Sequence, residues 1–524
     1  MEITRREFSN IATKAAALGA GASFFSFLDE PLGFTQDVLN SSAVVKIHKY
    51  IEDHQNEHIA CIQDFLRLPS VSSWGWGTKV AGRENMSECA NALIAMFKRM
   101  GCQWVELVKT DGLPGVAAGY DAGAKKTISH YFMYDTQPFD EKGWSSPPLA
   151  ANVVNMPPFG RTIIARGAIN SKGPLVAFLN ACESIIAVEG KLPFNIVFTC
   201  DGEEEQGSPH FHQVLQPYRS RLQKCNAHLG AGPSQNREGQ VSMSLGNKGI
   251  AYFELEAHGA KWGRGPQKIP IHSSRKAILD SPVWRLLDAL RSLYDPASNR
   301  ILVPGYYEAI APPTPEEEML IATLIQKIGG RALASDKEDA KVWTNNWTDA
   351  EAIRHLTFDT TLNIDGIWAG YTGPGTATIL PEKATAKLDS RLIPNQVIDE
   401  QIALIRRHLD QKGFSDIELR KMGGGDEWSR TSVKAPVVQA VLSVYRHYGI
   451  EPAIWPRSAG SSPEAQYTRP PLNLPVASGG LGHGSRAHSI DEYFVTEGNE
   501  KVAGLAKAEQ SIVDILYAYA NWPE

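Results

Sequence analysis

Three short segments decide the fold of this chain: TISHYFMYDTQP (Thr127–Pro138), ARGAINSKGP (Ala165–Pro174) and TCDGEEEQGS (Thr199–Ser208). The first and the third begin as apolar, strand-like runs and end in polar residues. The second is a turn that opens a helix, with Pro174 near the helix start, where a missing N–H group costs nothing. Polar residues at the ends of strands are typical of α/β proteins, which carry their chemistry at that edge of the sheet. The segments therefore predict an α/β unit with a functional site at one sheet edge.

Composition limits the class of protein. The chain has 524 residues, too many for one ordinary core, so we expect at least two domains. Its 43% hydrophobic and 21% charged residues are those of a soluble globular protein. A formal net charge of −6 gives no reason to expect nucleic-acid binding. The six cysteines are scattered without a CxxC pair, which favours buried small hydrophobes over a thiolate metal site.

The N-terminus resembles an export signal. Arg5 and Arg6 precede a weakly apolar, Ala/Gly-rich segment from Ile11 to Leu28. Such a pair before a mild apolar run is typical of twin-arginine signals, although a chance pair in an ordinary terminus is the alternative. We therefore predict that residues 1–40 are a signal and linker, that the mature protein is periplasmic, and that it has no membrane span.

The pattern of elements changes along the chain. Up to Lys248, amphipathic helices, the first predicted from Ala43 to Leu68, alternate with strand-like runs such as Trp104–Val108 and Thr127–Met133. This alternation predicts a doubly wound α/β layer. From Ile250 the strands alternate apolar and polar residues, as half-solvated antiparallel strands do. The α/β character returns at about Ala435. This order predicts a smaller α+β unit inserted into the first domain.

The polar segments allow both a functional and a structural interpretation. Four carboxylates within Asp201–Glu205 repel one another unless they are solvated or neutralised by a cation, so they form either a surface turn or a site. Asn170 can cap a helix, and Asp135 can end a strand in a turn. His483 and His488 lie in a Gly/Ser-rich loop where an exposed histidine is usually only polar surface.

Taken together and in order, these segments resemble the zinc aminoacylase, carnosinase and glutamate-carboxypeptidase family of metallopeptidases. Members of that family read GHxDVQP, GRGxxDDKG, EGEEEIGS, DLHSG, RLxP, GGSIP and a late HSPNE. This chain has the partial matches MYDTQP, ARGAINSKG, DGEEEQGS, PIHSS, RLIP (Arg391–Pro394), AGSSP (Ala459–Pro463) and HSIDE (His488–Glu492). The resemblance runs from about Val44 to Tyr519.

The resemblance implies roles for individual residues. Glu204 falls on the general base, and Asp135 falls on the carboxylate that orients the first metal ligand. Glu205 and His488 fall on zinc ligands. His272 falls on the histidine that reaches into the site of a partner subunit and stabilises the developing oxyanion.

The substrate side and the architecture follow from the same resemblance. Arg391 and the loop residues Gly460 and Ser461 match groups that hold a substrate carboxylate, a role suited to a guanidinium. The implied fold is a phosphorylase/hydrolase-like, doubly wound α/β catalytic domain formed by residues 44–248 and 425–524. An inserted α+β lid and dimerisation domain covers residues 249–424, and a homodimer is expected because His272 acts across subunits.

Three departures concern the metal ligands. The first histidine ligand of the family is Met133 here, the bridging aspartate is Asn170, and a further acidic ligand falls on Gly232. Thioether and amide are poor zinc ligands beside imidazole and carboxylate. Glu205 and His488 therefore remain, with Asn170 as a weak third ligand, and we expect one divalent metal, zinc in the first place, or none. His130, His228 and Asp201 lie near these positions in the sequence, but strand alternation gives no clear support for any of them as a substitute ligand.

Three functions stay open from the sequence. The first is an exported amidohydrolase that uses one metal to cleave an amide near a free carboxylate, as in a dipeptide or an N-acyl amino acid. The second is a metal-independent enzyme that performs acid–base, acyl-transfer or cyclisation chemistry with the same residues. The third is a non-catalytic protein that keeps only the carboxylate pocket.

Overall fold

The computed structural model describes residues 32–333 and 340–523. The twin-arginine motif and most of the predicted signal lie outside these residues. Helices of eight residues or more are α1 (Leu32–Leu39), α2 (Ser42–Asp53), α3 (Gln55–Leu66), α4 (Ser87–Met100), α5 (Lys172–Glu189), α6 (Pro282–Leu293), α7 (Pro315–Lys327), α8 (Asp349–Phe358), α9 (Ile398–Gln411), α10 (Pro436–His447) and α11 (Leu505–Asn521). None of the helices in the described part of the chain has the length and apolar character needed to cross a bilayer.

The strands that form the main ladders are β1 (Trp104–Val108), β2 (Gly115–Tyr120), β3 (Thr127–Met133), β4 (Asn152–Asn155), β5 (Arg161–Ile164), β6 (Asn195–Asp201), β7 (Ala227–Ala231), β8 (Ser242–Ser244), β9 (Gly249–His258), β10 (Asn363–Ala369), β11 (Lys383–Leu392), β12 (Glu418–Lys421), β13 (Ala453–Trp455), β14 (Val476–Gly479), β15 (Gly484–Ser485) and β16 (Tyr493–Val495). Two-residue ladders join several of the loops.

The largest sheet places two of the three defining segments, Thr127–Pro138 and Thr199–Ser208, at one edge. Its strand order is β14–β7–β3–β6–β2–β1, with the first four strands parallel and the last two antiparallel. Met133 at the end of β3 lies in register with Asp201 at the end of β6. Since parallel strands end at the same side of a sheet, the segments that follow β3, β6 and β7 meet there.

A second sheet in the same unit brings the Asn170 turn to that edge. It is antiparallel, with the order β15–β16–β5–β4, and β5 leads directly into the turn Arg166–Asn170. The sequence did not predict this sheet, because strands of two to four residues are too short to show a hydrophobic period.

The inserted unit has its own sheet and core. Strands β10–β11–β9–β12 are antiparallel, and α6 and α9 pack against the central strands. Phe253, Leu286 and Ile405 belong to a buried cluster that is separate from the core of the large sheet. The predicted α/β fold with an inserted α+β unit is confirmed.

Candidate active site

The acidic turn after β6 is fixed by a carboxylate from the end of β3. Asp135 is fully buried, and its two oxygens accept the backbone N–H groups of Glu204 and Glu205 at 3.2 and 3.1 Å. Burial, followed by repulsion from Asp201 and Glu204, raises the pKa of Asp135 well above its ordinary value. Asp135 therefore positions the turn that carries the predicted base.

Glu204 is the carboxyl group best suited to proton transfer. Its side chain is half-buried, and no hydrogen bond or ion pair of this carboxylate occurs among the contacts described for residues 32–333 and 340–523. Burial raises the pKa of Glu204 to about 8, with further contributions from Glu205, Asp201 and Asp426. A carboxyl group with a pKa near the working pH can both hold and release a proton, as an acid–base catalyst must.

Glu205, Asn170 and His488 do come together, as the sequence predicts. The Asn170 side-chain amide donates to Glu205 Oε1 at 2.7 Å and to His488 Nε2 at 2.9 Å. His488 Nε2 also lies 3.2 Å from Glu205 Oε2, and Gln137 donates to the same oxygen at 2.9 Å. The Asn170 N–H₂ group, a hydrogen-bond donor, thus lies at the centre of this group. It joins Glu205 and His488, the two strong metal ligands predicted from the sequence.

The Asn170 turn is held by Glu492. This buried carboxylate accepts the backbone N–H groups of Gly167, Ile169 and Asn170 at 2.9–3.1 Å and an Arg166 guanidinium N–H at 2.7 Å. Four donors fix both oxygens of Glu492, and with them the direction of the turn. The sequence showed Glu492 only as the last letter of HSIDE, because its role depends on backbone donors that no motif displays.

The residues present do not fit a resident divalent metal. Met133 and Asn170 replace ligands, and no group of three or more His, Cys, Asp or Glu side chains in the described ranges could hold a metal ion. Glu205 and His488 are two strong ligands, whereas structural and catalytic zinc sites use three or four. Gly232 adds no ligand although there is space, since a Cβ there would meet only Pro174 at 3.7 Å. The donor set suits a hydrogen-bonded cluster better than a cation.

The neighbouring histidines do not supply the missing ligands. His130 and His228 are buried, and each packs face to face on an aromatic ring, Phe178 and Tyr467 respectively. The Nδ1 atom of His130 bonds the Leu229 carbonyl. Desolvation lowers the pKa of both histidines, to about 3 for His130. They are therefore neutral core residues.

The residues predicted to hold a substrate carboxylate come from two units of the fold. Arg391, on β11 of the inserted unit, donates to the Ser461 hydroxyl at 3.3 Å. Asn247 holds the loop that carries Gly460 and Ser461, because it donates to Ser462 at 2.9 Å and accepts from Ser458 at 2.6 Å. Arg391 and Ser461 thus lie together, as predicted.

His272 lies apart from these residues. It is exposed, and its ring contacts Ser274 Oγ at 2.8 Å and Thr378 Oγ1 at 3.1 Å and accepts the Ser274 backbone N–H group at 3.2 Å. No contact between His272 and Glu204 or Glu205 occurs in the part of the chain that the structure describes. Its role across subunits stays a prediction.

Comparison with known proteins identifies relatives along most of the chain. Residues 131–514 match the model of "Peptidase family M20/M25/M40". The "Cys-Gly metallodipeptidase dug1" of Schizosaccharomyces pombe is 24% identical over 471 residues, which cover 85% of this chain and 93% of that protein. The "Beta-Ala-His dipeptidase" of Rattus norvegicus is 26% identical over 441 residues, 79% of this chain and 84% of that protein.

Solved structures agree with the fold. An M20 family metallo-carboxypeptidase from Sulfolobus solfataricus has a TM-score of 0.76 at 30% identity and covers 88% of this chain and 99% of its own. Human carnosine dipeptidase 1 has a TM-score of 0.70 at 22% identity, with 92% and 99% covered, and supports the fold alone. The predicted family and the predicted class, a peptidase-like hydrolase, are thereby confirmed. This chain belongs to peptidase family M20/M25/M40.

Proposed function

We propose that this protein is a small-peptide amidohydrolase that recognises the free carboxylate of a dipeptide or N-acyl amino acid. The observation that carries the proposal is the pairing of Arg391 with Ser461 at 3.3 Å, between the inserted unit and a loop of the catalytic unit. A guanidinium beside a hydroxyl offers several donors to a carboxylate. Two relatives are named a Cys-Gly metallodipeptidase and a Beta-Ala-His dipeptidase, which supports substrates as small as a dipeptide.

The chemical step assigned to this chain is proton transfer by Glu204. In its ionised form Glu204 accepts a proton from the water that attacks the amide carbonyl, and it then returns that proton to the leaving nitrogen. Asp135 keeps the turn in place through the backbone of Glu204 and Glu205. Because the donor set does not fit a metal, no step is assigned to one.

A second candidate, a non-catalytic protein that binds small carboxylates, is favoured by a different observation. The Asn170 amide engages Glu205 and His488 at 2.7 and 2.9 Å, so both side chains are already hydrogen-bonded within the protein. Such a protein keeps Arg391 and Ser461 but has no use for the proton of Glu204.

One experiment separates the two candidates. The purified protein is incubated with a panel of dipeptides and N-acyl amino acids, before and after removal of metal by a chelator. An amidohydrolase of the proposed kind releases amino acids in both cases, and Glu204→Gln abolishes the release while ligand binding by calorimetry persists. Glu500→Gln, an exposed carboxylate on a loop, is the matched control. Binding without turnover in the wild-type protein would establish the second candidate, and chelator-sensitive turnover would contradict the metal-free assignment.

We also propose a homodimer and export to the periplasm. The exposed edge strand β10 and the position of His272 outside the site support the dimer. The Arg5–Arg6 pair and the apolar run behind it support export.

A further inference from the structure

A cleft of about 500 Å³ lies beside the β4–β5 hairpin and shares no residue with the proposed catalytic or carboxylate sites. Three separate segments line it: the hairpin tip Met156–Phe159, the loop Gln235–Arg237 after β7, and His483–Arg486 with Tyr493 behind them. Because residues distant in sequence form it, the cleft is a feature of the folded molecule.

The floor of the cleft is aromatic and fixed by hydrogen bonds. His483 and Tyr493 are 4% and 6% exposed. His483 Nδ1 donates to the Gln235 carbonyl at 2.8 Å, so its Nε2 accepts from the Tyr493 hydroxyl at 3.0 Å. Phe159 packs against the His483 ring with centroids 5.0 Å apart. Phe159 is also only 3% exposed, so the three rings form a rigid base beneath the cleft rather than a broad contact surface.

The rim carries two guanidinium groups. Arg237 and Arg486 both line the cleft and are exposed, and both lower the pKa of Tyr493 against the larger, opposite effect of burial. Arg486 has Asp491 as an ion-pair partner, at the long distance of 3.7 Å. No ion pair or hydrogen bond of the Arg237 side chain occurs among the contacts of the described residues. Two cations of like charge beside one cleft favour an anion between them.

We infer that this cleft binds a small molecule with an oxyanion group, a carboxylate or a phosphate, held by Arg237 and Arg486 while its apolar part lies on Met156 and Pro157 at the hairpin tip. Guanidinium groups recognise both kinds of oxyanion through paired, charge-assisted hydrogen bonds. The inference uses none of the residues of the proposed function and stands independently of it.

Calorimetric titration with matched probes tests the inference. Benzoate and phenyl phosphate share an aromatic ring and differ in the oxyanion, and benzamide is the neutral analogue. The variants are Arg237→Gln and Arg486→Gln, with Arg291→Gln, an exposed arginine on α6, as the control for charge. Arg391→Gln removes binding at the proposed carboxylate pocket, so the two sites are distinguished.

We expect at least one anion to bind the wild-type protein and the Arg391→Gln and Arg291→Gln variants equally, with benzamide at least about tenfold weaker. Arg237→Gln and Arg486→Gln should each weaken binding about tenfold, which corresponds to one lost charge-assisted hydrogen bond. Tighter binding of phenyl phosphate than of benzoate assigns a phosphate ligand, and the reverse order assigns a carboxylate. The inference is overturned if neither anion binds up to about 10 mM, if benzamide binds equally, or if only Arg391→Gln abolishes binding.

Discussion

At the scale of the residue, the Asn170 side chain lies between Glu205 and His488. Its amide places N–H donors against Glu205 and His488, where a bridging ligand would present negative oxygens. The triple variant Met133→His, Asn170→Asp, Gly232→Asp restores the family's ligand types, and a side chain fits at Gly232. We expect the wild-type protein to purify with well under one equivalent of zinc and the triple variant to bind at least one, as measured by elemental analysis.

A second measurement makes this prediction independent of activity. Without metal, the carboxylate of the Asn170→Asp change faces Glu205 and repels it, so the melting temperature of the triple variant should fall. Added zinc should raise that temperature, since a ligand that binds only the folded state stabilises it. Asn91→Asp, an exposed position on α4, controls for the added charge. Stoichiometric zinc in the wild-type protein would show that two strong ligands and an amide suffice.

Arg391 carries the prediction for substrate binding. Arg391→Gln removes the guanidinium beside Ser461, and loss of a charge-assisted hydrogen bond costs about 1.5–3 kcal/mol, or roughly 10- to 150-fold in affinity. We expect KM for a dipeptide to rise by that factor, with a much smaller change for the same dipeptide with an amidated C-terminus. Arg407→Gln, an exposed arginine on α9, should change neither value. Equal losses for both substrates would place the carboxylate elsewhere.

The sequence predicted part of the candidate site and missed other members of it. Glu205, Asn170 and His488 were expected together, and they meet although Asn170 and His488 are 318 positions apart. Ordered motifs at strand ends carry that information because the parallel sheet brings its strand ends to one edge. Gln137 and Glu492 were missed, since their roles are hydrogen bonds to neighbours that only the folded turn brings within reach.

At the scale of the element, strand and helix types were more predictable than their boundaries. The strands Trp104–Val108 and Thr127–Met133 have the predicted bounds. The predicted single helix from Ala43 to Leu68 is two helices instead, because His54 leaves the helical conformation at φ −110° and ψ 16°. A hydrophobic period continues across such a break and therefore hides it.

Strand β3 and its neighbour β7 carry a prediction for the pH dependence of stability. Burial lowers the pKa of His130 to about 3, against 6.5 in the unfolded chain. Below pH 6.5, His130 is therefore protonated in the unfolded chain but stays neutral in the folded protein. The contribution of this group to the free energy of unfolding is complete above pH 6.5 and is lost as the pH falls below that value. Between pH 7 and pH 5 the loss is about 2 kcal/mol for this one group.

His130→Phe isolates the effect. The phenyl ring keeps the stacking on Phe178 but leaves the Leu229 carbonyl without its partner, at a cost of about 1–3 kcal/mol at pH 7. In urea unfolding, this deficit relative to the wild-type protein should shrink by about 2 kcal/mol at pH 5. His212→Gln, an exposed histidine, should follow the wild-type pH dependence. A deficit that is constant with pH would mean that His130 is protonated in the folded state.

At the scale of the whole molecule, the inserted unit presents an edge that a second copy can cover. Strand β10 is the outermost strand of its sheet and pairs with β11 on one side. Ile364, Ile367 and Trp368 are each more than 40% exposed on it. An exposed apolar edge strand favours pairing with another strand. We therefore predict a homodimer of about twice the 57.4 kDa chain mass, formed through β10.

Ile367→Glu tests the interface formed through β10. A charge on the edge strand should convert the dimer to a monomer in light-scattering measurements, whereas Leu107→Glu on β1, the edge of the other large sheet, should not.

If His272 acts across subunits, Glu204→Gln and His272→Ala proteins are each inactive alone. Mixed and allowed to exchange, they recover up to about a quarter of the wild-type rate, because half of the dimers then carry one intact site out of two. If subunits that are shown to exchange recover no activity, His272 acts only within its own chain. It would then have to reach Glu204 by a movement of the inserted unit.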